Sequence, residues 1–185
     1  MAEYLIDQRK NWAMAEARLS TEDDPRRRQV LDTIVEHAKA EALPDYDRLM
    51  ATVSPAAHYR FFGDAGVTDV AGKDGVAAFY LDLVETGRNA VEHDVDRIAV
   101  DRDVITTEGP MRMAFPGAYL AAAGIEAPDP DGHYLYETRM MIVWGFDDDG
   151  LVQCEDSYTA GDGWSGIADR PVRPDQIRPV TEADL

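Results

Sequence analysis

The amino-acid sequence predicts an α+β domain, with helices first and then an antiparallel sheet that curves across them and leaves room for an internal pocket. Three observations predict it. Apolar residues recur at three- and four-residue steps through much of the first half of the chain. From residue 93 onward the pattern is strand-like, in runs rich in aromatic and branched side chains. Turn residues at 101–103 (DRD) and 147–150 (DDDG) fold those runs back as hairpins.

The elements follow in order. Leu5, Trp12 and Leu19, with Ala13, Met14 and Ala15 between them, give residues 1–19 an amphipathic helical pattern suited to docking on a partner surface. Asp24 is placed to cap a helix whose first turn accepts Pro25. That helix carries Val30, Leu31, Ile34, Val35, Ala38 and Ala42 along one side until Pro44 stops it. Tyr46, Leu49, Met50 and Val53 form one more short helix. Residues 56–62 (AAHYRFF) switch to a strand ended by Gly63, and residues 73–84 return to helical spacing through Val76, Phe79, Tyr80 and Leu83. The sheet then reads as strands at 93–100, 104–115, 134–146 and 151–158, with a helical turn at 118–123 in the long connection. The Gly-, Pro- and Asp-rich tail from Gly161 is a wrapped or mobile extension.

Composition bounds the function. The 185 residues fit one domain, divided as an N-terminal helical extension (1–24), a body (25–160) and a C-terminal tail (161–185). The formal charge of −18 disfavours nucleic acid and anionic membrane surfaces as partners. The N-terminus has neither a basic nor an apolar leader region and no run of 18 apolar residues occurs, so the expected location is cytoplasmic. Cys154 is the single cysteine, no zinc-type spacing is present, and the aspartates at 147–149 offer too few converging ligands for calcium, so neither metal nor cofactor is expected. Phosphate-binding loops, the dinucleotide glycine fingerprint and the nucleophile elbow are all missing, which leaves Ser165 in GDGWSG as a loop serine.

The order helix, helix, strand, helix and four-strand meander, carried by VLDTIVEHAKAEALPDYDRLM, AHYRFFG, GKDGVAAFYLDLV, HDVDRIAVDRDVITTEG and YETRMMIVWGFDDDGLVQCEDSYTAG, resembles the nuclear transport factor 2-like superfamily. That superfamily includes SnoaL-like polyketide cyclases and ketosteroid isomerases. The resemblance covers roughly residues 28–160 and implies a cone-shaped domain with a deep pocket, dimerising through the outer sheet face. It implies isomerase, dehydratase, cyclase or epoxide hydrolase chemistry, or none, because the fold alone chooses no reaction.

The resemblance also directs attention to individual residues. His93 matches the pocket histidine that the dehydratase and dehydrochlorinase members use as base, and histidine titrates in the right range for that role. The aspartate that orients it in those enzymes is replaced here by a stretch containing Glu41, Pro44 and Asp45. Glu155 and Asp156 lie where cyclases and epoxide hydrolases carry an acid. Strict alternation puts Glu155 on the pocket face with Ser157, and a bulge would exchange it for Asp156. Either carboxyl, set among Trp, Met and Phe, would have a raised pKa and could serve as acid or base. Tyr59 and His37 are candidates to polarise a substrate oxygen. Phe61 stands where the isomerases have their base and the epoxide hydrolases an asparagine, while Gly109 and Met111 replace an arginine and an aspartate of the latter, which demotes both activities. Phe61, Met111 and Trp144 are candidate pocket walls for an apolar substrate such as a polyketide, terpenoid or steroid. The expectation is a cofactor-independent isomerase, dehydratase or cyclase with His93, Glu155 and Asp156 as catalytic candidates. The alternative is a non-catalytic ligand-binding or accessory homodimer with the same pocket.

Overall fold

The computed structural model describes residues 4–63 and 66–184. Its helices are α1 (Lys10–Leu19), α2 (Pro25–Ala42), α3 (Tyr46–Ala51), α4 (Gly72–Glu85) and α5 (Gly117–Ala122). Its strands are β1 (Ile6–Asp7), β2 (Val53–Gly63), β3 (Gly66–Ala71), β4 (Val91–His93), β5 (Arg97–Val100), β6 (Val104–Pro116), β7 (His133–Phe146), β8 (Val152–Ala160), β9 (Pro171–Val172) and β10 (Ile177–Arg178). The main sheet runs β3-β2-β8-β7-β6-β4, with β5 also on β6 and β9 on β7. Among the described residues no helix is long and apolar enough to cross a membrane.

The α+β class stands, with the curved sheet laid against the helices. One pair departs from the antiparallel expectation: β2 and β8 run parallel, so the sheet is mixed. A further edge strand, β3, pairs with β2 in a segment whose mostly exposed residues give no clear alternation.

Local chemistry sets the elements. The Asp24 carboxylate accepts from the backbone N–H groups of Arg26 and Arg27, and Pro25 fills the first turn, as the sequence indicates. The long α2 then buries Val30, Leu31, Ile34 and Val35. In β2, residues 54–57 lie opposite a single β8 position, and this irregularity accommodates Pro55, which has no N–H for a ladder.

The predicted strand at 93–100 is two strands. Between the pairs His93–Met111 and Arg97–Glu108, three residues oppose two, a β-bulge. Gly109 permits it: a Cβ there would stand 2.1 Å from the Asp94 carbonyl oxygen. Val95 lines the same cavity as His93.

The terminal segments belong to the packed structure. Trp12 and Ala15 of α1 join the main core against α2, so the surface on which this helix docks is its own chain's. The fully buried Glu92 carboxylate accepts from the Asp7 N–H at 2.5 Å and from Arg112 Nη1 at 2.6 Å, with Lys10 Nζ at 3.4 Å. Strand β1 pairs in parallel with β10, which ties the two ends together. The tail wraps over a second small core of Phe115, Leu120, Tyr134, Tyr136 and Ile167, against which Trp164 packs.

Candidate functional site

A cavity of about 560 Å³ lies between the helices and the sheet. His37 and Glu41 both line it because they are one helical turn apart on α2. Tyr80 and Phe79 enter from α4, Phe61 from β2, Met111 from β6, Trp144 from β7, and Glu155 with Ser157 from β8. His93 reaches it from β4, Asn11 from α1 and Trp164 from the tail.

Alternation decides between the two β8 carboxylates. The irregularity in the β7–β8 ladder falls between Gly145 and Phe146, upstream of the acids, so residues 155, 157 and 159 keep one face. Glu155 is 8% exposed and lines the cavity. Asp156 does not. It is buried on the other side of the strand, where it accepts from Arg60 Nε at 2.7 Å and from the same guanidinium's Nη2. An acid satisfied by arginine is a cross-sheet ion pair rather than an acid–base group. Asp45, the other acid near the end of α2, accepts from the Arg48 N–H and caps α3.

Glu155 receives one hydrogen bond, from Ser157 Oγ at 3.3 Å. Burial pushes its pKa up to about 8, with the Glu41 carboxyl adding to the rise. Burial likewise raises Glu41 to about 7. The two values lie at and just above neutrality, the range in which a carboxyl exchanges its proton readily.

His37 has a fixed role. Its Nδ1 lies 2.7 Å from Thr52 Oγ1, and its Nε2 lies 2.8 Å from the Tyr80 hydroxyl. Thr52 gives its one proton to the Leu49 carbonyl at 2.7 Å, so Thr52 accepts from Nδ1–H and Nε2 accepts from Tyr80. Burial lowers the His37 pKa to about 3 and keeps the ring neutral. With its proton committed to His37, the Tyr80 oxygen can only accept, and the buried Tyr59 hydroxyl interacts with it. His37 therefore orients Tyr80 more directly than it could serve a substrate oxygen. Tyr59 shares the inward face of β2 with Phe61 but is fully buried, edge-on to Tyr80 with ring centres 6.3 Å apart, and is absent from the cavity wall.

His93 is 6% exposed, and its Nε2 has no hydrogen-bond partner. Burial takes its pKa down to about 4, against the opposing pull of the Met140 carbonyl, leaving a weak base at neutral pH. Its backbone N–H donates to Asn11 Oδ1 at 2.6 Å. The structure does not bring His93 and Glu155 together. His93 pairs with Met111 and Met111 with Thr138, whereas Glu155 pairs with Trp144, six residues further along β7. That offset is about 20 Å of extended strand. Phe61, Met111 and Trp144 do form apolar wall, and Trp144 Nε1 is satisfied by Thr107 Oγ1 at 3.2 Å.

Sequence reasoning undervalued Glu41 and read Tyr80 only as helical core; the His37–Glu41 spacing was the available signal. Trp164 had none, since its place depends on how the tail wraps. Among the described residues, no three His, Cys, Asp or Glu side chains are grouped to hold a metal ion.

An α+β cone enclosing an apolar cavity with inward carboxyls defines a class of pocket proteins. The chain has the fold of the nuclear transport factor 2-like superfamily. The structure of a protein designated a SnoaL-like polyketide cyclase from Shewanella putrefaciens matches it with a TM-score of 0.61 and 12% identity, covering 92% of this chain and 97% of the other. A second protein so designated, from Jannaschia, gives 0.56 and 18% over 75% of this chain and 90% of its own. A phenazine biosynthesis-related protein from Pseudomonas aeruginosa gives 0.56 and 15%, over 80% and 90%. These similarities show the fold alone. No family model and no curated protein matches the sequence.

Proposed function

We propose that the chain is a cofactor-independent enzyme of the SnoaL-like type, an isomerase, dehydratase or cyclase that moves a proton within a small, largely apolar substrate. One observation carries the reading: Glu155 is a carboxyl held in an apolar cavity with a pKa of about 8 and a second cavity carboxyl, Glu41, adding to that rise. Such a group is protonated at neutral pH yet close enough to neutrality to give or take a proton. Glu155 is the proton-transfer group, Glu41 its partner, and Tyr80, fixed by His37, an oxygen acceptor. His93 binds a polar substituent at the far end of the cavity. Asp156 and Tyr59 have no direct part.

Asn11 and Ala15 of the N-terminal segment and Trp164 of the C-terminal one complete the cavity wall of the 25–160 body. The exposed Met141 and the Tyr158–Phe62 stack on the outer sheet face fit a homodimer. The separation of His93 from Glu155 favours a second reading, ligand binding without turnover. Incubating the protein in D2O with a panel of apolar ketones, and following deuterium incorporation beside the carbonyl by NMR, separates them. Exchange lost in Glu155→Gln and kept in Asp156→Asn is expected. Binding without exchange, or exchange unchanged in Glu155→Gln, would overturn the enzyme reading.

A further inference from the structure

The charge on the cavity wall is one-sided. Glu41, Asp82 and Glu155 contribute carboxyls, and among the described residues Arg88 is the one Lys or Arg on the wall. Arg88 is already committed: its guanidinium pairs with Asp82, donates to Thr86 Oγ1 at 2.8 Å, and lies 4.3 Å from the centre of the Tyr119 ring. Among the described residues of the wall, no free cation therefore faces Glu155 or Glu41. The groups packed around Glu155 are Glu41 and His37 from α2, Tyr80 from α4, Tyr59 from β2, and Asp156 behind the strand with its own arginine. His37 is neutral and Arg60 is taken up by Asp156, so nothing on that list offsets a negative charge.

Aromatic side chains surround the same spot. Trp144 is the direct cross-strand neighbour of Glu155, and Phe61, stacked on Phe79 at 5.1 Å, is that of Ser157. A carboxylate backed by π faces is complementary to an ammonium group, which gains a charge-assisted hydrogen bond from the one and quadrupole attraction from the other. Independently, His93 lines the cavity, and its buried Nε2 has no hydrogen-bond partner. Turned toward the cavity, that nitrogen would give a second polar group on the occupant a hydrogen-bond partner.

We propose that the natural ligand carries a protonated amine seated between Glu155, Glu41 and the Trp144–Phe61 walls, on an apolar body with a second polar group reaching His93. Carboxylate, phosphate and other anionic ligands find no free counter-charge among the described residues of the acid end. The inference names the substrate class of the site proposed above and rests on that placement of Glu155, but its test needs no turnover. The charge balance is explicit. The free carboxyl pair carries two protons below neutrality; on binding, the ammonium keeps its proton and the pair releases one to solvent, holding one negative charge opposite the cation. The remaining carboxyl proton stays available for transfer.

Phenethylamine, phenethyl alcohol and phenylacetate share one body and differ in charge. Calorimetric titration at about pH 6, in buffers of different ionisation heat, should give the amine at least about tenfold tighter binding than the alcohol, with about one proton released. The acid should bind weakest. Glu155→Gln, checked by circular dichroism, should shrink the amine-to-alcohol ratio to near unity, and Glu41→Gln should reduce it. An amine bound no tighter than the alcohol, no proton release, or a ratio unchanged in both variants would overturn the inference. Ketone exchange dependent on Glu155 without amine preference would sink the ligand class and keep the enzyme; amine preference without any turnover would do the reverse.

Discussion

Replacing Glu155 with glutamine should make the protein more stable, and increasingly so as the pH rises. In the fold the carboxyl titrates at about 8, against the ordinary value of 4.5 expected for the unfolded chain. A raised carboxyl pKa means that the folded state binds the proton more tightly. Its stability is therefore intact below about pH 4.5 and is lost as the pH climbs toward 8. The slope is about 1.4 kcal/mol per pH unit, which accumulates to about 3 kcal/mol at neutrality. Glutamine cannot ionise and escapes that loss. Glu41 acts in the same direction, and His37 and His93 act oppositely: with pKa values of about 3 and 4, they lose stability as the pH falls below 6.5. All three are present in both proteins and largely cancel in the difference. Urea unfolding of the two proteins at about pH 5, 7 and 8 measures it. A gap under about 1 kcal/mol at pH 5, widening to about 3 kcal/mol at pH 7 and about 4 kcal/mol at pH 8, is expected. A gap independent of pH would mean that Glu155 is not held protonated by its surroundings, and the acid–base reading would lose its basis.

Three further outcomes follow from particular contacts. Tyr80→Phe strands the buried Nε2 of His37 and should cost about 1–3 kcal/mol in thermal or urea unfolding, whereas an unchanged midpoint would show that the bond contributes nothing. Gly109→Ala drives a methyl group into the Asp94 carbonyl and should destabilise by more than about 2 kcal/mol; a neutral effect in denaturation would remove the explanation of the bulge. Trp12→Ala, at a position 4% exposed, should cost about 3–5 kcal/mol, and a loss below about 1 kcal/mol would mark α1 as a detachable appendage.

The helices were legible because burial repeats along them: Val30, Leu31, Ile34 and Val35 leave a periodic trace, and Asp24 with Pro25 marks where it begins. Glu155 was legible by counting, since no extra residue interrupts β8 between it and Ser157. The bulge after His93 was not, because the signal sits on the neighbouring strand, in Gly109, and matters only once the two strands are side by side. The exposed β3 lacked the alternation that a half-buried strand displays. Glu41 looked like one more acid at a helix end; its significance comes from α4 and β8, which arrive much later in the chain.

The alternation of β4 makes two successive residues answer to different masters. His93 belongs to the cavity, while Glu92 belongs to the N-terminal segment, gathering the Asp7 amide, Lys10 and Arg112, and Asn11 accepts from the very N–H that positions His93. Proteolytic nicking between Asp7 and Asn11 would thus be felt inside the molecule. It would release a buried carboxylate from part of its charge compensation and free the backbone on which the cavity histidine is mounted. Residues 7–11 work as a tensioner for the cavity wall, and the condition of that segment is written into the orientation of one imidazole.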